Sequence, residues 1–416
     1  MKINSIKIGV FLVCFSMITS CKDVKKEASA ENAKTENFSE KTISDEKIDS
    51  VFALGSEKYL KMSEDLEDKK FPKTYIPEKD KFETSNSGWW TSGFYPGTLL
   101  YLYEETKEKP LLTEAERILE DLKKEQYNTT THDLGFMMYC SFGNAYRIDP
   151  KPEYEQVLMN SAKSLATRYS DTAKVIRSWD SAPWNKAGDD DLVVIIDNMM
   201  NLELLFWATA HSKDSTYYNI AVNHANTTMK NHYREDFSSY HEVIYDEKTG
   251  NVKAQITNQG FADESSWSRG QAWGLYGYVV MYRETGDKKY LEQAQHIADF
   301  ILNNPNLPED KIPYWDFDAD NIPNALRDSS AGAINAAALL ELSGYAEGEK
   351  ASTYFQNAET ILKNLMSPEY LAEKDALGGF LLKHAVGNMP NNTEIDVPLS
   401  YGDYYFVEAL KRYKNQ

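Results

Sequence analysis

The chain has 416 residues, a formal net charge of −19 and 42% hydrophobic residues. That length supports one large core or two ordinary domains. Bulk acidity argues against nucleic-acid binding, which needs basic patches, and any bound anion would need a local cation.

The N-terminus reads as a targeting segment. Lys2 and Lys7 flank the start of an apolar run over 8–18, which is too short for an ordinary membrane span. The run ends in Ile18-Thr19-Ser20-Cys21, which resembles a bacterial lipoprotein box. This predicts a signal peptide over 1–20, lipid on Cys21, and a lipid-anchored location in the bacterial cell envelope, on its periplasmic or surface face. Residues 21–44 are polar and rich in Ala, Glu and Lys, and read as a flexible tether. Cys14 would leave with the signal and Cys21 would carry lipid. Cys140 then stands alone in the run Phe136-Met137-Met138-Tyr139-Cys140, as a small buried hydrophobe with no disulfide partner.

From residue 45 onward the helical period dominates. It predicts helices over 45–63, 93–105, 112–126, 134–147, 153–169, 192–211, 216–232, 270–285, 288–303, 330–345, 351–366 and 402–414. They fall into six pairs. A Tyr followed by small residues recurs at Tyr154…Ala162, Tyr218…Ala225, Tyr290…Ala294…Ala298 and Tyr354…Ala358. That is a weak repeat of one helical hairpin.

The unusual residues cluster where the second helix of each pair begins. The segments are Trp89–Gly97, His132-Asp133-Leu134-Gly135-Phe136, Asp197-Asn198, Ser266–Trp273, Arg327–Gly332 and Ser400-Tyr401-Gly402-Asp403. Helix starts carry free N–H groups and a positive dipole end. An open solenoid would spread these starts along a ridge. A closed ring would bring them to one mouth. The pattern favours closure, an all-α, (α/α)6 barrel over 45–416, over an open solenoid, with small β-hairpins at the rim near 243–245 and 379–382.

Asp197 follows Val193-Val194-Ile195-Ile196 and precedes Met199-Met200. A carboxyl so placed loses hydration, and its pKa should rise toward a value useful for proton donation. The competing reading is a helix N-cap. Asp133 also reads as an N-cap unless it lies near Asp197, where paired carboxylates would suit acid–base glycoside chemistry. Arg269, among Trp267, Gln271 and Trp273, could pair with a substrate carboxylate or brace the fold. Gln259 and Trp273 could hydrogen-bond and stack on a sugar. The stripe Trp273, Tyr276, Tyr278 alone would read as core. The histidines lack metal-binding spacing, and neither a phosphate loop nor G-x-S-x-G occurs. No metal and no cofactor is expected.

Taken together, the motifs resemble the unsaturated glucuronyl hydrolases of glycoside hydrolase family 88. The resemblance rests on Trp90-Thr91-Ser92-Gly93-Phe94, His132-Asp133-Leu134-Gly135-Phe136, Ile196-Asp197-Asn198, Gln259-Gly260, Asp263-x-Ser265-x-Trp267-x-Arg269-Gly270-Gln271-Ala272-Trp273, Asp328-Ser329-Ser330-Ala331-Gly332 and Gly402-Asp403-Tyr404-Tyr405. It implies an (α/α)6 barrel that removes the 4,5-unsaturated uronic acid from lyase-generated oligosaccharides by hydrating the C4=C5 vinyl ether. It places the catalytic Asp on Asp197 and its partner on Asp133. Substrate contacts would fall on Trp90, His132, His241, Gln259, Arg269 and Trp273. The rival readings are an unsaturated rhamnogalacturonyl hydrolase of family 105, a glycan-binding surface lipoprotein, and a purely structural helical-repeat lipoprotein.

Overall fold

The computed structural model describes residues 41–180, 187–188 and 190–416. The predicted signal peptide and Cys21 lie outside the described residues. Twelve α-helices occur among those described: α1 (Asp45–Asp65), α2 (Phe94–Thr106), α3 (Lys109–Leu122), α4 (Asn144–Ile148), α5 (Pro152–Ala166), α6 (Leu202–Ser212), α7 (Ser215–Asn231), α8 (Ser268–Thr285), α9 (Lys288–Asn303), α10 (Ser329–Ser343), α11 (Gly348–Leu365) and α12 (Ser400–Asn415). A π-helix, Gly135–Gly143, leads into α4.

Burial sorts the helices into two rings. α9 buries Tyr290, Ala294, Ile297, Ala298 and Ile301, one stripe at helical spacing, and shows a polar face to solvent. Its first turn is capped by Asp287, whose side chain accepts from the Lys289 N–H. α10 is different. Every residue from Ser329 to Leu340 is buried, and small side chains such as Ala331, Gly332, Ala336 and Ala337 let its neighbours approach on all sides. A helix apolar all round belongs inside. Around the inner ring α2 packs on the π-helix, the π-helix on α6, α6 on α8, α8 on α10, α10 on α12, and α12 back on α2. The ring is closed. The chain is the all-α (α/α)6 barrel that the pattern favours, with α1, α3, α5, α7, α9 and α11 outside.

The ends of the inner helices carry small sheets. β1 (Phe71–Ile76) pairs with β2 (Lys81–Ser85), and the short β3 (Tyr169–Ser170) with β4 (Val175–Ile176). β5 (Asp191–Ile195), β6 (Glu242–Asp246) and β7 (Val252–Ile256) form one antiparallel sheet. β8 (Ala385–Asn388) pairs with β9 (Thr393–Val397).

Four expectations need correction. The helix expected over 192–211 begins at Leu202. The run Leu192-Val193-Val194-Ile195 is β-branched and forms β5, paired with β6. A 3-10 turn, Ile196–Asn201, then carries Asp197 into α6. The helix expected over 134–147 is mostly π-helical, and the Ser141 hydroxyl donates back to the Met137 carbonyl at 2.5 Å. The hairpin expected near 379–382 lies later, at β8 and β9. The tether expected to reach residue 44 is tied down earlier. The Thr42 N–H donates to Glu359 Oε1 at 2.6 Å and to the Tyr413 hydroxyl at 3.1 Å, and Ile43 is buried.

Candidate active site

The starts of the inner helices build a polar mouth on an aromatic floor. Trp90 packs on Phe136 (ring centroids 5.4 Å apart) and Tyr401 (5.0 Å). Trp273 packs on Phe136 (5.0 Å) and lies 6.3 Å from Tyr401. Over this floor stand Asp197, Asp133, His132, His241 and Arg269, all buried.

Asp197 is 6% exposed, and burial pushes its pKa up to about 7. The Arg269 cation pulls it down, its own backbone N–H and the Trp273 indole do the same, and Asp133 pushes it up. The carboxyl does not cap its helical turn. Asp197 Oδ1 and Trp273 Nε1 complete no hydrogen bond of normal geometry among the described residues. Buried polar atoms are ordinarily paired, so this pair stands ready for a ligand.

Asp403 makes a useful contrast. Burial also raises its pKa to about 7, but it accepts hydrogen bonds from the Leu381 N–H, the Leu382 N–H and the Tyr59 hydroxyl. It is a satisfied structural carboxyl that ties the loop before β8 to α12.

Asp133 does not cap the π-helix either. That helix has no side-chain cap of its own, and its first free N–H groups are taken by Asn201. Asn201 Oδ1 accepts from Gly135 N at 2.8 Å and Phe136 N at 3.3 Å. The Asp133 carboxylate accepts from the Thr131 hydroxyl at 2.6 Å and stands 3.2 Å from His132 Nε2, at an angle too poor for a hydrogen bond. Asn201 Nδ2 lies 3.3 Å from His132 Nδ1, and Ser178 Oγ lies 3.5 Å from it. Donation from Asn201 puts the imidazole proton on Nε2, facing Asp133. Burial holds the His132 pKa below its ordinary value. Asn201 is the residue that sequence reasoning missed here. Its signal is a second Asn three positions after Asn198, beyond Met199 and Met200.

His241 is fixed in the same way. Its Nδ1 accepts the Asn258 N–H at 3.1 Å, so Nε2 carries the proton and donates to Gln259 Oε1 at 3.1 Å. Burial pushes its pKa down to about 3, which keeps the ring neutral. The Gln259 amide donates to the Gly387 carbonyl at 3.2 Å.

Arg269 is 1% exposed and its charge is already engaged. Nη1 pairs with Asp328 Oδ2 at 3.0 Å and donates to the Val386 carbonyl, and Nη2 donates to the Gly387 carbonyl. The guanidinium lies 4.4 Å over the Trp267 ring and 5.2 Å over that of Tyr401. The Nη1–Nη2 face of the fork is engaged by the fold, so the grip on a substrate carboxylate expected from sequence is left to the Nε edge of the guanidinium. Among the described residues Nε completes no hydrogen bond, and neither does the buried Tyr401 hydroxyl. Tyr401 was legible only as part of a helix-start motif. Its hydroxyl and its position under Arg269 make it a site residue.

Deeper along the inner helices lies a cavity of about 360 Å³, lined by Glu203, Tyr276, Glu408 and Arg412 among others. Its charges close on one another, with Arg412 on Glu408 and Arg283 on Glu203. The unpaired acid and unpaired donors are at the mouth instead. No group of His, Cys, Asp and Glu among the described residues is arranged to hold a metal ion.

The profile of glycosyl hydrolase family 88 matches residues 62–281. Over 341 residues the chain is 47% identical to an unsaturated glucuronyl hydrolase of Formosa agariphila, covering 82% of this chain and 81% of the relative. Among solved structures it resembles an unsaturated glucuronyl hydrolase specific for heparin, with a TM-score of 0.85 and 45% identity over 89% of this chain and 98% of the other. It also resembles a mutant unsaturated glucuronyl hydrolase from Streptococcus agalactiae complexed with dGlcA-GalNAc6S. There the TM-score is 0.74 and the identity 28%, over 89% of this chain and 92% of the other.

Proposed function

The chain belongs to glycosyl hydrolase family 88, and from that premise we propose that Asp197 is the acid and base with which it removes 4,5-unsaturated uronic acid from oligosaccharides. The observation that carries this reading is a buried carboxyl with a pKa of about 7 at the barrel mouth, whose Oδ1 completes no hydrogen bond among the described residues, beside a neutral histidine and an engaged arginine.

The chemistry follows from the protonation states. Near pH 7 a large fraction of Asp197 holds its proton, unlike an ordinary carboxyl. The acid gives that proton to C4 of the vinyl ether. Positive charge then builds at C5 and the ring oxygen. The carboxylate just formed takes a proton from water as the water oxygen bonds to C5. The resulting hemiketal opens, and the glycosidic bond breaks in the rearrangement. One residue serves as acid and then base, so no second carboxylate need sit at a fixed distance.

The other residues set the stage. Asp133 raises the pKa of Asp197. Trp90 supplies a ring face for the sugar, backed by the buried rings of Trp273 and Tyr401. The uronate carboxylate meets the donors left free: Arg269 Nε, Trp273 Nε1 and the Tyr401 hydroxyl. His132, His241 and Gln259 hold the mouth in shape and offer N–H groups to sugar hydroxyls.

The test is a panel of unsaturated disaccharides, followed by loss of the double bond's ultraviolet absorbance, with saturated counterparts as controls. Folded protein that consumes none of the panel refutes the reading.

The mature protein is lipid-anchored through Cys21 in this reading, which rests on the motif Ile18-Thr19-Ser20-Cys21 after an apolar run. Metabolic labelling with a radioactive fatty acid should mark the wild type and not Cys21→Ser. Equal labelling of both would rule it out.

A further inference from the structure

Asn201 closes the 3-10 turn that carries Asp197, and it is fully buried. A carboxamide has two acceptor positions and two hydrogens, and here each has a neighbour. The oxygen accepts from the Gly135 N–H at 2.8 Å and the Phe136 N–H at 3.3 Å. The nitrogen donates to Asn198 Oδ1 at 3.4 Å and stands 3.3 Å from His132 Nδ1.

The direction of these bonds is forced from outside. Backbone N–H groups only donate, so the end of Asn201 that faces Gly135 and Phe136 must be the oxygen. Asn198 is oriented in the same way. Its nitrogen donates to the Ile176 carbonyl at 2.7 Å, which leaves its oxygen for Asn201. The remaining Asn201 hydrogen then points at His132 Nδ1, which has to accept it. Ser178 supports this arrangement. Its hydroxyl oxygen accepts the Ile195 N–H at 3.0 Å and lies 3.5 Å from Nδ1, so it too can donate there. The ring proton is left on Nε2. That atom completes no hydrogen bond among the described residues and lies 3.2 Å from Asp133 Oδ1. A lone pair in its place would repel the carboxylate that bears on Asp197. Burial disfavours a charged ring, Asp133 favours one and Arg168 opposes it. The ring is therefore held neutral, and its tautomer is what Asn201 controls.

We propose that Asn201 is a positioning residue for the reaction: held by the Gly135 and Phe136 N–H groups, it turns the His132 N–H rather than the lone pair toward Asp133 and the mouth. The proposal rests on the reading of Asp197 as the acid and Asp133 as its electrostatic partner. It adds the residue that joins their two segments.

The experiment reads the tautomer directly, by long-range proton–nitrogen NMR on the full chain carrying nitrogen-15 histidine. His132→Gln assigns the signal. In the wild type the His132 proton should sit on Nε2. Asn201→Asp keeps the size and the acceptor for the π-helix, but replaces the donor with a second acceptor. It should put a proton on Nδ1 and lower kcat/KM at least about tenfold, as expected when a held tautomer is lost. The loss should fall on kcat, because Trp90 and Arg269 are untouched. Ser178→Ala leaves Asn201 in place and should keep the proton on Nε2.

The wild-type spectrum is decisive whether or not Asn201→Asp folds. A proton on Nδ1, given to Asn198, overturns the proposal. So does a folded Asn201→Asp with Nδ1 still bare, or one whose kcat/KM stays within about threefold of wild type. A proton moved by Ser178→Ala would give the role to Ser178 and overturn it as well. A wild type with its proton on Nε2 that consumes no unsaturated disaccharide sinks the hydrolase reading alone, and the hold of Asn201 on His132 stands.

Discussion

His241 Nε2 stands 3.9 Å from Asp197 Oδ1. Burial drives the His241 pKa down to about 3, so the pair is a neutral imidazole facing a carboxyl that is about half protonated near pH 7. A charged histidine there would pull Asp197 back toward an ordinary carboxylate and remove the proton needed at the start of the reaction. The Asn258 N–H on His241 Nδ1 fixes the tautomer, leaving the ring proton on Nε2.

The pH profile follows. Turnover needs protonated Asp197, so kcat/KM should fall as pH rises through about 7. Asp133 raises this pKa and Arg269 lowers it. Asp133→Asn should therefore move the alkaline limb to lower pH, and Arg269→Met should move it to higher pH, each by up to about one unit. Limbs that move together would refute the electrostatic assignment.

Asp197→Asn keeps the shape and removes proton transfer. General acid–base catalysis is typically worth about 10²- to 10⁴-fold, and kcat should fall at least that far while binding persists. Single-turnover kinetics with calorimetry on the same preparation gives both numbers. If Asp197→Asn keeps most of its kcat while Asp133→Asn loses nearly all of it, the two roles are reversed.

The same raised pKa acts on stability. The folded-state value is about 7 against the ordinary aspartate value of 3.8, so between these pH values the folded chain keeps a proton that the unfolded chain releases. Stability is thus lost as pH rises from about 4 to 7 and stays lost above. Asparagine carries no such penalty. Asp197→Asn should melt higher than wild type at pH 8, by up to a few kcal/mol at about 1.4 per pKa unit, and close to it at pH 4. Equal Tm differences at both pH values would show that the carboxyl is not held neutral by the fold.

Gly135 is where the two acid-bearing segments touch. A Cβ there would lie 2.4 Å from Asn201 Cα and 2.6 Å from Asn201 Oδ1. Gly135→Ala should push the π-helix off the turn that carries Asp197, costing on the order of 1–3 kcal/mol. It should also cut kcat more than a surface mutant of equal Tm. Denaturant unfolding and kinetics on both variants make the comparison, and a matched kcat would refute the positional role.

Arg269→Lys keeps the charge and loses the fork. The Val386 and Gly387 carbonyls would then lose donors at the base of β8. Hydrogen bonds to charged groups are worth about 1.5–3 kcal/mol, and transition-state binding should weaken by that order. Wild-type kcat/KM in Arg269→Lys would show that the hairpin holds its place without it.

The sequence by itself determined the paired helices and the helix starts that carry the unusual residues. One-sided stripes such as Tyr290–Ala294–Ala298 can only be outer helices, whereas the all-round small and apolar run after Asp328 can only be inner. Aromatic and acidic residues at six alternate helix starts then had to meet once the ring closed. The apolar flanks of Asp197 announced its raised pKa for the same local reason. Pairing and contact belong to the tertiary structure. Whether Leu192–Ile195 becomes strand or helix depends on the edge that β6 offers. Whether Asp133 caps a helix depends on Asn201, 68 positions away, which takes the N–H groups first. Arg269 could be read either as a grip on substrate or as a brace, because a guanidinium among aromatics looks free in one dimension. Asp328, Val386 and Gly387 reach it only through the fold, since each lies more than 50 residues along the chain.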